Sequence, residues 1–171
     1  VDAKAGDDVV QLDAQTTFYD AGAGNDTING TSADETFYGN TGDDVLIGNG
    51  GNDVFFGGDG ADSFIIDFEA GSSDVIDDFE PGVDTITLRG FAEAVSIQDL
   101  NMVDFTEDGI DWVHISINGH TLLLKNSTTD QLTSQNFVFQ GANFVPVTHS
   151  DIVITNEDTA ISFNPLSNDT D

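Results

Sequence analysis

The chain has 171 residues, of which 32 are Asp or Glu and only three are Lys or Arg, so its formal net charge is −29. This acidity argues against nucleic acid and anionic membranes as partners, because both would repel the chain. No apolar run approaches the roughly 18 residues of a membrane span, and the absence of Cys excludes disulfides. Since 38% of the residues are hydrophobic and 13 are Phe, the composition favours a β-rich fold with a core, stabilised by metal rather than by disulfides.

A nine-residue repeat runs through the first third of the chain without an insertion. Step four of each copy is usually glycine, and step eight is apolar in every copy. Step six is usually an acid: it reads Asp8, Thr17, Asp26, Glu35, Asp44, Asp53 and Asp62. Such strict spacing predicts one small structural unit that is stacked on itself.

Each copy is predicted to form a glycine-rich turn followed by a short strand whose step-eight side chain points inward. A turn and a three-residue strand make half a coil, so two copies make one coil and alternate copies lie on opposite sides. The step-six residues then form two columns, one of Asp8, Asp26, Asp44 and Asp62, and one of Thr17, Glu35 and Asp53.

Stacked carboxylates need a cation. Neighbouring strands lie roughly 4.8 Å apart, and two carboxylates at that distance repel by about 3.5 kcal/mol at an effective dielectric constant of 20. Ca²⁺ fits best, because it takes 6–8 oxygen ligands, including backbone carbonyls, with loose geometry. Mg²⁺ demands stricter octahedra, and Zn²⁺ prefers Cys and His, whereas the three histidines lie outside the repeat.

The best copy reads Gly-Gly-Asp-Gly-Ala-Asp-Ser-Phe-Ile over residues 57–65, and it resembles the G-G-x-G-x-D-x-U-x nonapeptide of the RTX (repeats-in-toxin) proteins. The resemblance implies an all-β fold, a right-handed parallel β-roll of calcium-binding repeats with a C-terminal β-rich cap. It also implies several Ca²⁺ ions between stacked turns, held by the step-six Asp and by turn carbonyls. Carried over residue by residue, the predicted metal ligands in the repeat are Asp8, Gly22, Gly24, Asp26, Gly39, Thr41, Gly42, Asp44, Gly48, Gly50, Gly51, Asp53, Gly57, Asp59, Gly60 and Asp62.

Two copies depart from this pattern. Gln15 and Thr17 replace the glycine and the acid of the second copy, whose turn is predicted to bind nothing. Ala33 and Glu35 weaken the fourth copy. The column that contains Asp53 is therefore predicted to hold fewer ions than the column that contains Asp44.

After the repeats (1–66), residues 67–140 are predicted to form a β-rich capping region that covers the open end of the stack. Asp74 and Asp84 are either further metal ligands or strand-end acids in water. A helix-capable segment spans Phe91–Leu100, and an alternating strand at Asp111–Ile117 leads into a hairpin turn at Asn118-Gly119.

Apolar side chains also occur at steps seven and nine, which face outward. Phe18, Tyr38 and Phe56 make one outer face too apolar to be left in water. Our hypothesis is that the cap, with Trp112 and the leucines of 122–124, covers part of this face. A partner protein is the alternative, and Tyr38→Glu would distinguish the two by loss of folding or by loss of the partner.

Residues 141–171 are predicted to be a linker and the truncated start of another domain. Residues 151–171 resemble the opening strands of bacterial cadherin-like sandwich repeats, with the turn Glu157-Asp158-Thr159 and an L-x-N-D-x-D ending. Because such a domain needs about 100 residues, the chain is predicted to be a piece of a larger protein, in which Asp169 and Asp171 are candidate calcium ligands.

No catalytic constellation is found, since His114, His120 and His149 form no H-E-x-x-H motif and no G-x-S-x-G or phosphate-binding loop occurs. The predicted function is a calcium-binding, non-enzymatic module of a secreted or cell-surface bacterial protein. The resemblance implies type I secretion, and the cadherin-like end points to a large adhesin. The module is expected to be a monomer, with a glycan or cell-surface ligand as a possible partner through the parent protein.

Two other functions stay open. One is an accessory or secretion domain of an exported protease, lipase or polysaccharide-modifying enzyme, whose catalytic domain would lie upstream. The other is ice binding, which needs a flat outward row of Thr or Asx. Step three supplies no such row, and step five supplies it only in part.

Overall fold

The protein is described by a computed structural model over residues 5–69, 71–91 and 96–140. Two β-sheets face each other, and strands alternate between them along the repeat. The first sheet contains, in order, β1 (Val9–Gln11), β3 (Thr27–Asn29), β5 (Val45–Ile47), β7 (Ser63–Asp67), β9 (Thr85–Arg89) and β13 (Phe137–Gln140). The second contains, from one edge to the other, β10 (Asn101–Glu107), β11 (Ile110–Ile117), β12 (His120–Lys125), β8 (Ser73–Ile76), β6 (Val54–Asp59), β4 (Thr36–Thr41) and β2 (Phe18–Ala23).

The strands of the repeat pair in parallel with a fixed offset of two copies. Val9 pairs with Thr27, and Val45 with Ser63, while Phe18 pairs with Thr36 in the other sheet. The predicted all-β parallel β-roll, with two copies in each coil, is thereby confirmed.

The core lies between the sheets and is built from the step-eight side chains, as predicted. Ile28, Phe37, Leu46, Phe55 and Phe64 have no exposed surface. The rings of Phe37 and Phe55, one coil apart, stack with centroids 5.0 Å apart and an interplanar angle of 7°. Each coil thus places one large apolar side chain from each sheet onto that of the preceding coil.

Beyond the repeats, the chain continues both sheets. β9 pairs in parallel with β7 and β13, and β8 lies in parallel between β6 and β12. β11 and β10 then pair in antiparallel fashion, and the predicted turn at Asn118-Gly119 joins β11 to β12 with φ values of 51° and 88°. A second turn of the same kind at Asp108-Gly109 was not predicted, although its Asp-Gly pair is a hairpin signal.

The helix-capable segment forms little helix where the structure describes it. One 3₁₀ turn spans Ile97–Asp99, and Phe91 is buried, while residues 92–95 lie outside the described ranges. None of the helices in the described ranges could cross a membrane.

The capping strands extend the second sheet sideways instead of covering its outer face, so our hypothesis about that face is wrong for the described residues. Leu122 and Leu124 are 1% and 0% exposed and point into the core. The outer rings contact one another along the sheet: the rings of Phe18 and Tyr38 are tilted, with centroids 5.3 Å apart, and those of Tyr38 and Phe56 stack, with centroids 4.4 Å apart. The predicted linker and cadherin-like start, with Asp169 and Asp171, lie outside the described residues.

Candidate metal centre

The first acid column is a continuous ladder of carboxylates. The backbone amide of each acid donates a hydrogen bond to Oδ1 of the acid one coil later: Asp8 to Asp26 at 2.7 Å, Asp26 to Asp44 at 2.7 Å, and Asp44 to Asp62 at 2.9 Å. The glycine turns place every step-six residue at the same point of the coil, so the column follows directly from the nine-residue spacing. Its middle members, Asp26, Asp44 and Asp62, are at most 2% exposed.

Step-five residues form a second ladder, which runs in the opposite direction. Asp7 Oδ1 accepts a hydrogen bond from the amide of Asn25 at 2.8 Å, and Asn25 Oδ1 accepts one from the amide of Asp43 at 3.0 Å. Because this role needs a short acceptor, Asx at step five holds the turns in register. Sequence reasoning noted the Asx residues only for ice binding and missed this structural role.

The other oxygen of the buried acids has no protein partner. Oδ2 of Asp26, Asp44 and Asp62 is buried and accepts no hydrogen bond from any described residue. A Cβ on Gly39 would come within 2.5 Å of the carbonyl oxygen of Gly57 and still closer to Asp44 Oδ2. A carboxylate oxygen and a turn carbonyl from the next coil therefore line the same small space, which only a glycine leaves open.

Burial disfavours the ionised form of these carboxylates in the metal-free chain. Burial raises the pKa of Asp44 and of Asp62 to about 6, and it raises the pKa of Asp53 to about 8. Repulsion from neighbouring acids of the same column adds to each of these shifts, while the amide hydrogen bonds to Oδ1 oppose them. A bound cation would reverse the sign of this electrostatic balance.

The remaining predicted ligands are backbone positions in the same turns. Gly22, Gly24, Gly42, Gly51 and Gly60 have φ values between 105° and 143°, a range that side chains disfavour. The carbonyls of Thr41 and Asp59 accept hydrogen bonds from the amides of Gly24 and Gly42, which leaves each a second lone pair. Of the other predicted positions, Gly48 and Gly50 lie in the turn between β5 and β6, and Gly57 lies within β6.

No three acidic or imidazole side chains converge on one point in the described part of the chain. A metal ion here would therefore need backbone carbonyls in addition to one or two carboxylates. Such an oxygen-only donor set with many carbonyls fits Ca²⁺. It does not fit Zn²⁺, which prefers nitrogen and sulfur ligands.

The second column is shorter, and one of its acids, Glu35, has more protein partners than the acids of the first column. The amide of Glu35 donates to Asp53 Oδ1 at 2.9 Å. The carboxylate of Glu35 itself accepts hydrogen bonds from the hydroxyl of Thr31 and, at 3.1 Å, from its amide. Ala33 lies outside the positive-φ region that Gly24 and Gly42 occupy at the same step. The fourth copy, for which weak binding was predicted, thus has a different turn and a carboxylate already satisfied by the protein.

Asp74 and Asp84 continue the two columns although the nine-residue spacing has ended. Asp53 donates its amide to Asp74 Oδ1 at 2.8 Å, 21 residues away, and Asp62 donates to Asp84 Oδ1 at 3.0 Å, 22 residues away. Of the two readings, strand-end acids in water is wrong, since both residues are at most 4% exposed. Whether either binds metal stays a prediction, because Asp84 Oδ2 also accepts the amide of Glu80.

One residue near this site was missed. Asp78 accepts hydrogen bonds from the amides of Gly57 and Gly58 at 2.9 and 3.0 Å, in the place where a further coil would lie. Its signal in the sequence is an acid just beyond the last copy, where the turn amides need a new acceptor.

A parallel β-roll whose turns carry stacked, buried carboxylates beside backbone carbonyls defines a metal-binding repeat module. Residues 1–28, 17–39 and 29–64 match the family described as RTX calcium-binding nonapeptide repeat (4 copies). The first 64 residues therefore carry RTX calcium-binding repeats, as the spacing predicted. Repeats of this kind are structural calcium-binding modules that occur in secreted bacterial proteins.

Two solved structures resemble the chain at low sequence identity. The extracellular lipase LipA from Serratia marcescens is 21% identical with a TM-score of 0.42, over 78% of this chain and 19% of the lipase chain. The AlgE6R3 subunit of the Azotobacter vinelandii mannuronan C5-epimerase is 18% identical with a TM-score of 0.30, over 96% of this chain and 93% of that subunit. Comparison with curated proteins finds no match, and neither solved structure assigns an activity to this chain.

Proposed function

We propose that the first acid column holds the calcium ions of this module, between the coils of Asp26 and Asp44 and between those of Asp44 and Asp62. The observation that carries the proposal is the set of three buried Oδ2 atoms without protein partners. A third position, between the coils of Asp8 and Asp26, follows from the same spacing. Turn carbonyls, such as that of Gly57 beside Asp44, would complete the oxygen shell.

Folding of the chain is coupled to this binding. Burial of an ionised carboxylate costs several kcal/mol in a real protein, and the column contains three whose Oδ2 atom has no partner to offset that cost. Calcium supplies the positive charge that makes the stacked acids attractive. Since an open turn cannot hold its ligands together, the free energy of binding is also free energy of folding.

This coupling suits a protein that works outside the cell. Cytosolic calcium is scarce, whereas weak sites with dissociation constants of about 10⁻⁴–10⁻³ M fill in extracellular fluids. The chain therefore remains loose before export and folds after it, in keeping with type I secretion to the medium or the cell surface.

Circular dichroism with calcium and with EGTA tests the proposal. We expect a β-sheet spectrum in millimolar calcium and loss of most of it in EGTA, and a chain folded equally in both would overturn the mechanism. Asp44→Asn is the sharpest variant, because the amide keeps the acceptor for Asp26 but replaces the unpartnered oxygen. Asp130→Asn, which removes an exposed acid in a capping turn, is the matched control and should leave calcium binding unchanged.

We further propose that the parent protein is a large adhesin. The support is the likeness of residues 151–171 to the opening of a bacterial cadherin-like repeat. The coding sequence of the parent tests this: sandwich repeats of about 100 residues after Asp171 are expected. A catalytic domain before Val1, without such repeats, would favour the accessory module of an exported enzyme instead.

A further inference from the structure

Two rows of outward side chains cross the seven strands of the second sheet, and the first consists mostly of large residues. Trp112 is in register with Phe105 on β10, and Phe56 is in register with Tyr38 on β4. These four aromatic residues, with three charged residues of the same register, form a row that we call the bulky row. Phe105 is 37% exposed, and the other three rings are partly exposed.

The second row lies two residues earlier on most of these strands and is made mostly of smaller side chains. Thr36, Val54 and Val75 are in register on β4, β6 and β8, and Val103 lies on β10. Phe18, His114 and Leu123 complete this small row. On β4, β6 and β10, a small residue therefore stands two positions before an aromatic one.

The two rows carry little charge on a chain whose net charge is −29. Their charged residues are Lys125, which contacts Asp77 at 2.6 Å, and Asp20, which accepts a hydrogen bond from Asn40 at 2.8 Å. One positive and two negative charges leave −1 on the face. A second copy of this acidic chain can therefore approach here with little repulsion, whereas exposed acids of the turns, such as Asp43, repel it.

The face is also complementary to itself. A two-fold axis that lies between the rows, in the plane of the sheet and perpendicular to the strands, would exchange the bulky row of one copy with the small row of the other. Phe56 would then face Val54 of the second copy, and Phe105 would face Val103. Such alternation of large and small side chains is what lets two sheets pack face to face about 10 Å apart.

We propose that this outer face joins two copies of the chain, with the bulky row of each copy on the small row of the other. Its area sets the strength of the contact. Seven strands span roughly 29 Å, and two rows of side chains cover about 14 Å along the strands, which gives about 400 Å² in each copy. Stable interfaces bury about 800 Å² in each partner. The dimer is therefore weak, and the monomer expected from the sequence prevails in dilute solution.

Sedimentation equilibrium of the full chain in saturating calcium tests the proposal. The average mass should be 18.1 kDa in dilute solution. It should rise by about half at a protein concentration of about 1 mM, as a small interface requires. A chain that stays monomeric at that concentration would overturn the proposal and would leave a different protein as the occupant of this face. The outcome is independent of which oxygens bind calcium, because the dimer needs only the folded roll.

Val103→Glu is the variant that tests the face. Val103 is 51% exposed, so the monomer should tolerate a change that places a carboxylate against Phe105 of the second copy. Association should weaken at least about tenfold. Val9→Glu adds the same charge to β1 of the first sheet, where Val9 is 86% exposed, and is the matched control. It should leave association unchanged, and equal weakening by both variants would overturn the assignment to this face.

A mixture of two variants tests the exchange of rows. Val103→Glu and Phe105→Lys should each associate poorly alone, but their equal mixture should associate at least about threefold more tightly, because the new charges face each other. A mixture of Val9→Glu with Phe105→Lys carries the same charges and should show no such gain. Absence of a gain in the first mixture, or an equal gain in the second, would overturn the proposed arrangement. Circular dichroism in calcium checks that every variant is folded.

Discussion

Residues in the turns have two tasks: they join successive coils by hydrogen bonds, and they leave a carboxylate oxygen free for a cation. Step six accepts a hydrogen bond from the preceding coil, as Asp44 does from Asp26, and step five accepts one from the following coil, as Asn25 does from Asp43. The two bonds run in opposite directions along the roll, so each turn is held from both sides. One oxygen of each buried step-six acid in the first column remains free for a cation.

The step-four glycines lie where successive coils approach one another closely. Gly42 has a φ of 127°, and a Cβ there would collide with the carbonyl of Gly24. Gly42→Ala should therefore lower the free energy of unfolding by at least about 3 kcal/mol in calcium, since backbone strain and a steric clash add. Chemical denaturation with saturating calcium measures this loss.

Gly82→Ala is the matched control for that variant. Gly82 also has a positive φ, of 86°, but its Cβ would meet nothing within 4 Å. Only the strain of about 1–2 kcal/mol should remain. Equal losses at the two glycines would show that close contact between coils contributes nothing to stability.

The raised pKa values predict opposite effects of pH with and without calcium. In EGTA, the folded chain keeps protons on Asp53 up to a pKa of about 8 and on Asp44 and Asp62 up to about 6, while the unfolded chain releases them near 3.8. Stability without metal should thus fall as the pH rises from about 4 to 8. In calcium, acidification should weaken the fold, because the ligands must be deprotonated.

Circular dichroism at pH 5.5 and pH 8, in EGTA and in calcium, measures both trends through the β-sheet signal that remains in each buffer. Asp53→Asn should flatten the dependence between pH 6 and pH 8 in EGTA, because it removes the carboxyl group whose pKa is about 8. Parallel pH trends in the two buffers would contradict the assignment of Asp44 and Asp62 to the metal sites.

At the scale of elements, the regular nine-residue spacing allowed the strands of the repeat to be predicted. The irregular spacing after the repeat prevented the same for the acids that follow it. The strands, the inward step-eight residues and the two columns follow from a period of nine, which the loops never interrupt. Asp74 and Asp84 could not be assigned, because the connections before them are longer and their offsets in the ladders become 21 and 22 residues.

The path of the capping strands could not be predicted from the sequence either. Trp112 and Leu123 lie on the outer surface of the second sheet, whereas Leu122 and Leu124 point inward. Alternation shows which residues share a face, but it does not show whether a hairpin packs on a sheet or adds to its edge. The pairing of β12 with β8 decides this, since it satisfies backbone groups that the last coil would leave open.

Substitution of two neighbouring aromatic residues of β6 tests how much each face of this strand contributes to stability. Phe55 is 0% exposed and stacks on Phe37, while Phe56 faces outward and stacks on Tyr38. Phe55→Ala should lower the free energy of unfolding by about 3–5 kcal/mol. Phe56→Ala should lower it by about 1 kcal/mol or less, because the outer pair remains partly hydrated.

Denaturation of both variants in calcium gives the two values. A loss at Phe56 as large as that at Phe55 would indicate that the outer aromatic row is buried in solution, for instance by a partner or by a second copy of the chain.

At the scale of the whole molecule, the Lys and Arg side chains in the described ranges both form ion pairs. Arg89 pairs with Asp67 on the adjacent strand, with two nitrogen–oxygen distances of 2.6 Å, and Lys125 contacts Asp77 at 2.6 and 2.8 Å. The first pair joins β9 to the end of β7, and the second joins β12 to the residue that follows β8. In residues 5–66 of the repeats, the structure shows acids without basic partners.

The burial of these acids allows calcium binding to be distinguished from simple screening of an acidic surface. Sodium chloride at 1 M shortens the Debye length to about 3 Å, which weakens repulsion between exposed acids. It leaves the buried Oδ2 atoms of Asp26, Asp44 and Asp62 without a partner. In EGTA, 1 M sodium chloride should therefore restore little of the β-sheet signal that millimolar calcium restores, as followed by circular dichroism. Full recovery in sodium chloride would mean that the net charge of −29 opposes folding only through its surface repulsion, and that the acid columns need no specific ion.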